Sequence, residues 1–479
     1  MKAYQFKSII FKTGNANYYV FSQSLGCVLY LHPIILYCLC KSGQYMTVDK
    51  CDICDNSIDI SMYSKKEIEY YIRKLELYIE LGIFSCIEKE NVFLNEIKEK
   101  DVVDAVVNTE QLAIELVQNC NLSCVYCIYG KLYKNPFKYG SVDVNVIKKV
   151  LDYLCIMWHQ SNISKHEIRI NYYGGEPLLK FKEIENITSY LKSKKIDNVK
   201  FTFGLTTNAT LLKEEIVKYF VDNDFVIAIS IDGDEQSNSY RIYKNETKTY
   251  NDIYRNIEFV KNNYPEYFKK NVHFISVLHD KNCDFDIRNY FLSEFGVNRV
   301  NIGALNRIDL NEDRINDFER MFRPVKGQYD IVLNKTVYKL YKEVLKFNNN
   351  YPFPEKNETK LRRRNYTGTC VPLKKKLFIT ADYLLMPCEK ISFDVNFGFI
   401  FKNSKVNNID FKKISDFHNR NLRFIMDECK KCYYSEMCTY CIYTLNKDKK
   451  GDYHCDKYMD KKKFSSFLSM LLTNIENNQ

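Results

Sequence analysis

The chain is poor in several features that would mark common functions. Its 479 residues hold seven histidines and one tryptophan. The histidines form no His-Glu-x-x-His pair and no recognisable catalytic triad, which removes the usual signatures of zinc peptidases and serine hydrolases. No stretch offers the roughly 20 predominantly apolar residues that a membrane-spanning helix needs. The run from Thr13 to Cys40 lacks Asp, Glu, Lys and Arg, but Asn15, Asn17, Ser22, Gln23, His32 and Pro33 interrupt it, so no membrane span is expected. The opening Met1-Lys-Ala-Tyr-Gln-Phe-Lys7 lacks the charged-apolar-small order of an export signal, which makes the cytoplasm the expected location. No solenoid repeat and no low-complexity tail are visible.

Charge excludes less. Lys+Arg number 70 and Asp+Glu 60, a net of +10 that is spread along the chain. Small clusters at Arg362-Arg363-Arg364 and Lys374-Lys375-Lys376 read as solvated faces. A nucleic-acid surface is the weaker reading; an acidic peptide or an anionic cofactor would need no more charge than this. The length suggests about three domains.

What the chain does have is cysteine, 18 of them. With no export signal this count points to bound metal in a reducing compartment. Three fall in Cys120-Asn-Leu-Ser-Cys124-Val-Tyr-Cys127. Three thiolates in such a run can hold three irons of a [4Fe–4S] cube and leave the fourth open. Zinc, or burial as small apolar residues, is the alternative. The preceding Gln111–Val117 reads as a buried strand, which sets the cysteines on a loop at a strand end, where open α/β folds carry their chemistry.

From 112 to about 306 the pattern alternates. Strands are expected at Leu112–Val117, Ile168–Tyr173, Val199–Thr206, Phe225–Ile231, Val272–Leu278 and Val297–Leu305. Helices are expected at Val142–Met157, Phe181–Leu191, Leu212–Val221, Tyr250–Asn262 and Phe285–Phe295. Repeated units of this length argue an α/β fold with a parallel sheet. The first hundred residues differ: strand-like Tyr4–Lys12 and Tyr18–Ser22, a helix near His32–Cys40, a helix over Ser64–Leu81 with a Ser64/Glu67 capping box, and a hairpin over Gly82–Leu94 turning at Glu88–Asn91. The expected segments are 1–105, a winged-helix-like module; 106–310, the core; 311–365, a helical linker; and 366–479, a cysteine-rich domain.

The spacing of Cys120, Cys124 and Cys127, with Tyr126 before the last, resembles the radical S-adenosylmethionine (SAM) superfamily. The resemblance implies a partial (β/α)6 barrel and a cluster whose open iron binds SAM. It also implies cleavage of SAM to a 5′-deoxyadenosyl radical that abstracts hydrogen from substrate. Gly174-Gly175-Glu176-Pro177 matches the family's GGEP motif, whose backbone and Glu contact the SAM amino group. Ser230-Ile-Asp232-Gly with Arg241 resembles a subfamily pattern in which Ser230 contacts the ribose and Arg241 the carboxylate. A guanidinium suits a carboxylate because its donors meet two oxygens at once. Asn208 and Asp232 are expected on the same rim, facing SAM or substrate, with Asp232 a candidate catalytic acid. Each of these polar residues alone could equally cap a helix or close a turn. Ala209 stands where relatives often have Gly.

Cys370, Cys388, Cys429, Cys432, Cys438, Cys441 and Cys455 resemble the SPASM extension, which binds two auxiliary [4Fe–4S] clusters. The resemblance implies an outer cluster on Cys429, Cys432, Cys438 and Cys455, and an inner one on Cys370, Cys388 and Cys441. Two departures stand out: the last motif spacing is two residues instead of three, and Tyr383 replaces a usual glycine. A zinc ribbon is the alternative. Glu389 occupies the place of a proton-removing acid in sulfatase-maturing relatives and would act as a base if burial raised its pKa; a surface acid is the alternative. Cys51-Asp-Ile-Cys54 reads as a chance pair. Cys27, Cys38, Cys40, Cys86, Cys155 and Cys283 read as core residues.

Together these imply a peptide maturase that cross-links a ribosomally made precursor peptide. Its N-terminal module would capture the leader by strand addition or only brace the barrel. An electron donor such as flavodoxin or ferredoxin would serve it. A sulfatase-maturing oxidase is the runner-up. A zinc-stabilised nucleic-acid-binding protein is the distant alternative.

Overall fold

The computed structural model describes residues 5–6, 8–22, 27–41, 58–85, 87–88, 96–134, 140–164, 166–297, 300–322, 369–435, 438, 440–447 and 453–477. Cys51, Cys54, Cys86, the turn expected at Glu88–Asn91 beyond Glu88, and most of the expected 311–365 linker lie outside these residues. The chain divides into two compact units. One comprises the described residues of Met1–Glu96 and Arg420–Gln479 with Thr369; the other comprises those of Ile97–Ile331 and Cys370–Asn419. This cut differs from the four sequence segments: it joins both ends of the chain and gives residues 370–419 to the core. No helix among the described residues is long and apolar enough to cross a membrane.

In the first unit, β1 (Gln5–Phe6), β2 (Ile9–Lys12), β3 (Tyr18–Ser22) and β4 (Cys27–Tyr30) precede α1 (Pro33–Lys41) and α2 (Lys65–Glu80). Strands β2, β3 and β4 form an antiparallel sheet in that order, while β1 pairs with β5 (Ile87–Glu88). Residues 89–94 of the hairpin expected over Gly82–Leu94 lie outside the described residues, so its second arm is not described. Ser64 begins α2 as expected: its Oγ accepts from Glu67 N–H, and the Glu67 carboxylate accepts from Ser64 N–H at 2.8 Å. The sheet buries Ile9, Phe11, Phe21 and Val28 against Phe464, Leu468, Leu471 and Leu472 of the helix Lys461–Glu476. Nothing in the sequence pattern signals this union of distant segments, because burial periodicity names a face without naming its partner.

The second unit opens with α3 (Glu99–Val107), which sequence periodicity missed, and continues through β6 (Gln111–Val117), α4 (Val144–Trp158), β7 (His166–Gly174), α5 (Phe181–Ser193), β8 (Val199–Thr207), α6 (Glu214–Asp222), β9 (Val226–Ser230), α7 (Tyr250–Asn263), α8 (Pro265–Asn271), β10 (Val272–Leu278), α9 (Asp284–Phe295), β11 (Val300–Ala304) and α10 (Ile315–Met321). Strands β6 to β11 pair in parallel in chain order, as the α/β expectation requires. Each helix buries one face. In α4 the inward residues are Ile147, Val150, Leu151, Leu154, Cys155 and Trp158, the spacing of an amphipathic helix. β12 (Leu377–Ile379), from the cysteine-rich region, adds in parallel beside β6, and β13 (Leu385–Met386) folds back on it. The sheet thus has eight strands and ends at β11 and β13 without closing. The helix α11 (Phe411–Lys431) follows.

Of the cysteines expected in cores, Cys27 and Cys155 are buried, whereas Cys38, Cys40 and Cys283 are half-buried. Cys283 is a helix cap: its Sγ accepts from Asp286 N–H at 3.4 Å at the start of α9.

Phe464 is fully buried in the first unit's core. Phe464→Ala should cost about 3–5 kcal/mol and speed amide exchange in β2 and β3 as well as in its own helix. Denaturant melts and hydrogen exchange read both effects.

Candidate functional site

The strand ends β6 and β7 meet closely above the sheet. Gly175 N–H donates to Val117 O at 2.8 Å, and Glu176 N–H to Asn119 O at 3.1 Å. Only glycine allows this approach. A Cβ would lie 2.2 Å from Val117 O at Gly174, whose φ is +141°, and 2.3 Å from Asn119 O at Gly175. Pro177 is buried and starts the short 3₁₀ turn Pro177–Lys180. Glu176 points inward. It is fully buried, and its carboxylate accepts from Leu178 N–H at 3.0 Å, Thr207 Oγ1 at 2.8 Å and Asn208 N–H at 2.7 Å. Burial pushes its pKa up to about 7 against those donors. The structure thus gives the Glu176 side chain to the β8 end.

The cysteine loop leaves β6 just past an irregular register between Glu115 and Val117. It runs against the segment 240–243: Ser123 N–H donates to Ile242 O at 2.8 Å and Val125 N–H to Tyr240 O at 3.0 Å. Cys120, Cys124 and Cys127 are half-buried. Cys120 Sγ accepts from Leu122 N–H at 3.3 Å and from Asn208 Nδ2 at 3.6 Å. Asn208, expected on the rim, is instead buried and also donates to Asn121 Oδ1 at 3.0 Å, so it supports the loop. Ala209, at a position where the family resemblance leads one to expect glycine, adopts the left-handed φ of +63°. Burial raises the Cys120 and Cys127 thiols to about 12 and raises Cys124 too, with Arg241 opposing the rise at Cys124. Thiols so raised ionise readily only beside positive charge, which a coordinated metal provides. No set of three His, Cys, Asp or Glu side chains among the described residues is closed around a single ion. Three thiols on one loop, two sulfur-directed N–H groups and a nearby guanidinium fit a cluster with three protein ligands.

Asp232 was expected as an exposed catalytic acid. It is fully buried, below the rim. Arg241 donates to it twice, Nε at 3.0 Å and Nη2 at 2.9 Å. Val277 N–H donates to Oδ1 at 2.9 Å, the Tyr126 hydroxyl donates to Oδ2, and His279 Nε2 lies 3.8 Å away. Burial works against the charge, yet Arg241 and His279 hold its carboxyl down at about 2. Arg241 is likewise buried, its guanidinium 5.5 Å from the Tyr126 ring centre. With Arg241, Val277 and Tyr126 all donating to it, Asp232 ties the cysteine loop to the Arg241 segment and to β10. Ser230 is half-buried at the end of β9.

Beyond β13, Cys388 is half-buried and Cys370 exposed. Glu389 is not a surface acid: Lys376 meets both its oxygens at 2.7 and 2.8 Å. Burial alone would raise its pKa, but Lys376 overrides burial and lowers it, so the condition set for a base role is not met. Lys376, read as part of a solvated cluster, is therefore a buried-side partner. Tyr383 takes φ +65°, the conformation a glycine would favour. Tyr173, unremarked in the sequence, has both Glu389 and Cys127 among its electrostatic neighbours. In the first unit, Cys429 and Cys432 sit at the end of α11. Burial, then Cys438, Cys455 and Cys432, push Cys429 up to about 12, so the four expected outer cysteines are neighbours. Cys455 N–H donates to Glu428 at 2.9 Å. Cys441 belongs to the first unit, Cys370 and Cys388 to the second.

The sequence reading missed Glu115, Tyr129 and His279. A charge inside the apolar run Leu112–Val117 was the available signal for the first.

Two substitutions test this geometry. Gly175→Ala should cost on the order of 3 kcal/mol, since its clash is with backbone, and should unpin the cysteine loop in hydrogen exchange. Asp232→Asn should destabilise the second unit by about 3–5 kcal/mol. Because the folded pKa is depressed from 3.8 to about 2, the pH-linked part of this stability is fully present above pH 3.8 and is lost as pH falls toward 2. The Asn variant should lack that acid limb in pH-dependent melts.

Comparison with known proteins agrees with this geometry. Residues 114–287 match the Radical SAM superfamily. An uncharacterised protein of Methanocaldococcus jannaschii is 35% identical over 136 residues, 28% of this chain and 43% of its own length. A cysteine-type anaerobic sulfatase-maturating enzyme of Clostridium novyi is 26% identical over 31% of this chain and 39% of its own. The radical SAM cyclopropyl synthase TigE of Paramaledivibacter caminithermalis is 27% identical over 46% of each chain. The chain thus spans less than half the length of these relatives. In fold it is similar to native anSMEcpe with bound AdoMet, at TM-score 0.51 and 21% identity over 77% of this chain and 100% of the other. The α/β sheet, the three-cysteine loop at its first strand end and the family match lead to one conclusion: this chain carries a radical SAM domain, whose family implies a [4Fe–4S] cluster and SAM.

Proposed function

We propose that the protein is a radical SAM enzyme that modifies a ribosomally made precursor peptide, abstracting a Cα or Cβ hydrogen and forming a thioether or carbon–carbon cross-link. The observation that carries the reading is the loop of Cys120, Cys124 and Cys127, held against the Arg241 segment at the open end of a parallel sheet. When bound there, the cluster supplies one electron to SAM and so a hydrogen-abstracting carbon radical.

The chain's own residues prepare that site. Cys120, Cys124 and Cys127 would hold three irons. The backbone around Gly174, Gly175 and Pro177 brings the β7 end beside the loop, where the SAM amino group would lie; Glu176 sets the spacing from beneath. Ser230 would meet the ribose. Arg241, with two donors committed to Asp232, keeps a positive charge beside the place of the SAM carboxylate. Asn208 orients Cys120. In the cysteine-rich part, Cys429, Cys432, Cys438 and Cys455 would hold an outer auxiliary cluster, and Cys370 and Cys388 would contribute ligands to an inner one; a flavodoxin or ferredoxin would serve as electron donor. A cytoplasmic setting suits so many reduced thiols.

A polypeptide substrate is supported by the relatives. One fold neighbour, anSMEcpe, has been captured with AdoMet and a Kp18Cys peptide at TM-score 0.53. The N-terminal sheet β2–β4 offers strand edges of the kind that bind extended peptides. A second reading, formylglycine formation on a sulfatase, rests on Glu389. Its carboxylate stands beside Cys388 and would have to give up Lys376 to take a proton.

Protein reconstituted with iron and sulfide without air, then supplied with dithionite and SAM, should release 5′-deoxyadenosine. Cys124→Ala should lower that release at least about 100-fold. Equal release from variant and wild type would refute the reading, and a colourless zinc protein would favour the nucleic-acid alternative. A peptide encoded beside the gene that loses two hydrogens, resists backbone fragmentation between two linked residues and does not react with a hydrazide probe shows cross-linking; a product that reacts with the hydrazide shows conversion of a cysteine or serine to an aldehyde.

A further inference from the structure

Glu115 has no part in the roles above, yet it stands at the centre of the second unit. It lies in β6, within an otherwise apolar run, and is fully buried. Its Oε1 accepts from the Tyr129 hydroxyl at 2.5 Å. Its Oε2 accepts from Ala381 N–H at 2.8 Å and from the Gln118 side-chain amide at 3.3 Å. These donors come from two separate places. Tyr129 lies two residues beyond Cys127, on the cysteine loop. Ala381 lies in the turn between β12 and β13, the hairpin that leads to Cys388 and Glu389. Gln118 belongs to the loop's first residue and in turn accepts from Gly140 N–H at 3.1 Å. The carboxylate is the shared acceptor between the two cysteine-bearing segments of this unit.

An apolar side chain at 115 would pack better in a buried strand, because taking a carboxylate out of water is costly. The same burial raises its pKa, with Ala381, Tyr129 and Gln118 opposing the rise. What the carboxylate gives in return is three acceptor contacts that fix the spacing of two segments which no strand pairing joins directly at these residues.

We propose that Glu115 is a positioning residue that sets the cysteine loop and the β12–β13 hairpin at one distance, so that the radical SAM site faces the Cys388–Glu389 segment in a fixed geometry. The argument is one of acceptor geometry, so glutamine can substitute. Its oxygen can take Ala381 N–H while its NH₂ donates to the Tyr129 hydroxyl, which accepts as well as donates. Leucine can do neither and leaves buried donors unpaired. The functional consequence rests on the reading above; the geometric one does not.

Hydrogen exchange on the full chain as purified, with no cluster loaded, tests it. Glu115→Leu should speed exchange about tenfold or more in both segments, residues 118–134 and 380–389, and leave α7 unchanged. Glu115→Gln should stay within about threefold of wild type in both. Tyr129→Phe, which cuts only the loop's bond, should still speed exchange at 380–389, because the released carboxylate is free to turn. If each variant disturbs only the segment whose own bond was cut, or if exchange rises throughout the chain, the proposal is overturned. Should the Leu variant fail to fold, the Gln and Phe variants decide the matter alone. In reconstituted enzyme, the Leu variant should release 5′-deoxyadenosine while forming at least about tenfold less modified product per nucleoside. The Gln variant should keep the wild-type ratio. Failure to release 5′-deoxyadenosine from wild type would instead fault the enzyme reading.

Discussion

The buried pair of Asp232 and Arg241 is the interaction on which the site depends. Each ion loses several kcal/mol of hydration on burial, and a buried pair is tolerable only when its remaining lone pairs and protons are met. Here they are. Asp232 takes two donors from Arg241, one from the Val277 backbone and one from Tyr126. Tyr126 stands between Cys124 and Cys127, so the pair anchors the cysteine loop from below. Arg241 also leaves its charge near Cys124 and Cys127, where it opposes the rise that burial imposes on both thiols. One ion pair therefore sets the place of the loop and the electrostatics of its sulfurs.

Around that anchor the other contacts are backbone against backbone. The β6 and β7 ends touch where two glycines permit it, the loop runs along 240–243, and Glu176 braces the β8 end. A site built this way places its backbone by contacts within the chain itself. The auxiliary region is less separate than its sequence suggests. β12 extends the barrel sheet beside β6, and Lys376, one residue before it, fixes Glu389.

The alternating strands and helices of the core were legible because burial in a parallel sheet forces near-continuous apolar runs, and amphipathic helices repeat at a different period. All six core strands lie where periodicity placed them, with β10 coinciding end to end. The cysteine loop and the glycine pair were legible because few sequences need those residue types at that spacing. Three things were not. Asp232 looked like a rim acid, since sequence shows a carboxylate but not the cation folded over it. The lowered pKa of Glu389 depends on Lys376, thirteen residues away and across a hairpin. The union of β2–β4 with the helix Lys461–Glu476 is a long-range pairing of two faces, each of which reads only as apolar. Ala209 and Tyr383 show the limit from the other side: the family resemblance leads one to expect glycine at both, and both take the positive φ that glycine makes easy. The local backbone is held by its surroundings, at a cost of about 1–2 kcal/mol per residue.

The central claim is that the three-thiol loop leaves one iron of its cube open for SAM. Electron paramagnetic resonance of the reduced protein, in a variant lacking the auxiliary cysteines Cys429, Cys432 and Cys388, tests it most directly. The account predicts a single reduced-cluster signal whose g-values shift when SAM is added and do not shift when the same volume of buffer is added. A signal indifferent to SAM, or no iron at Cys120, Cys124 and Cys127, would contradict it.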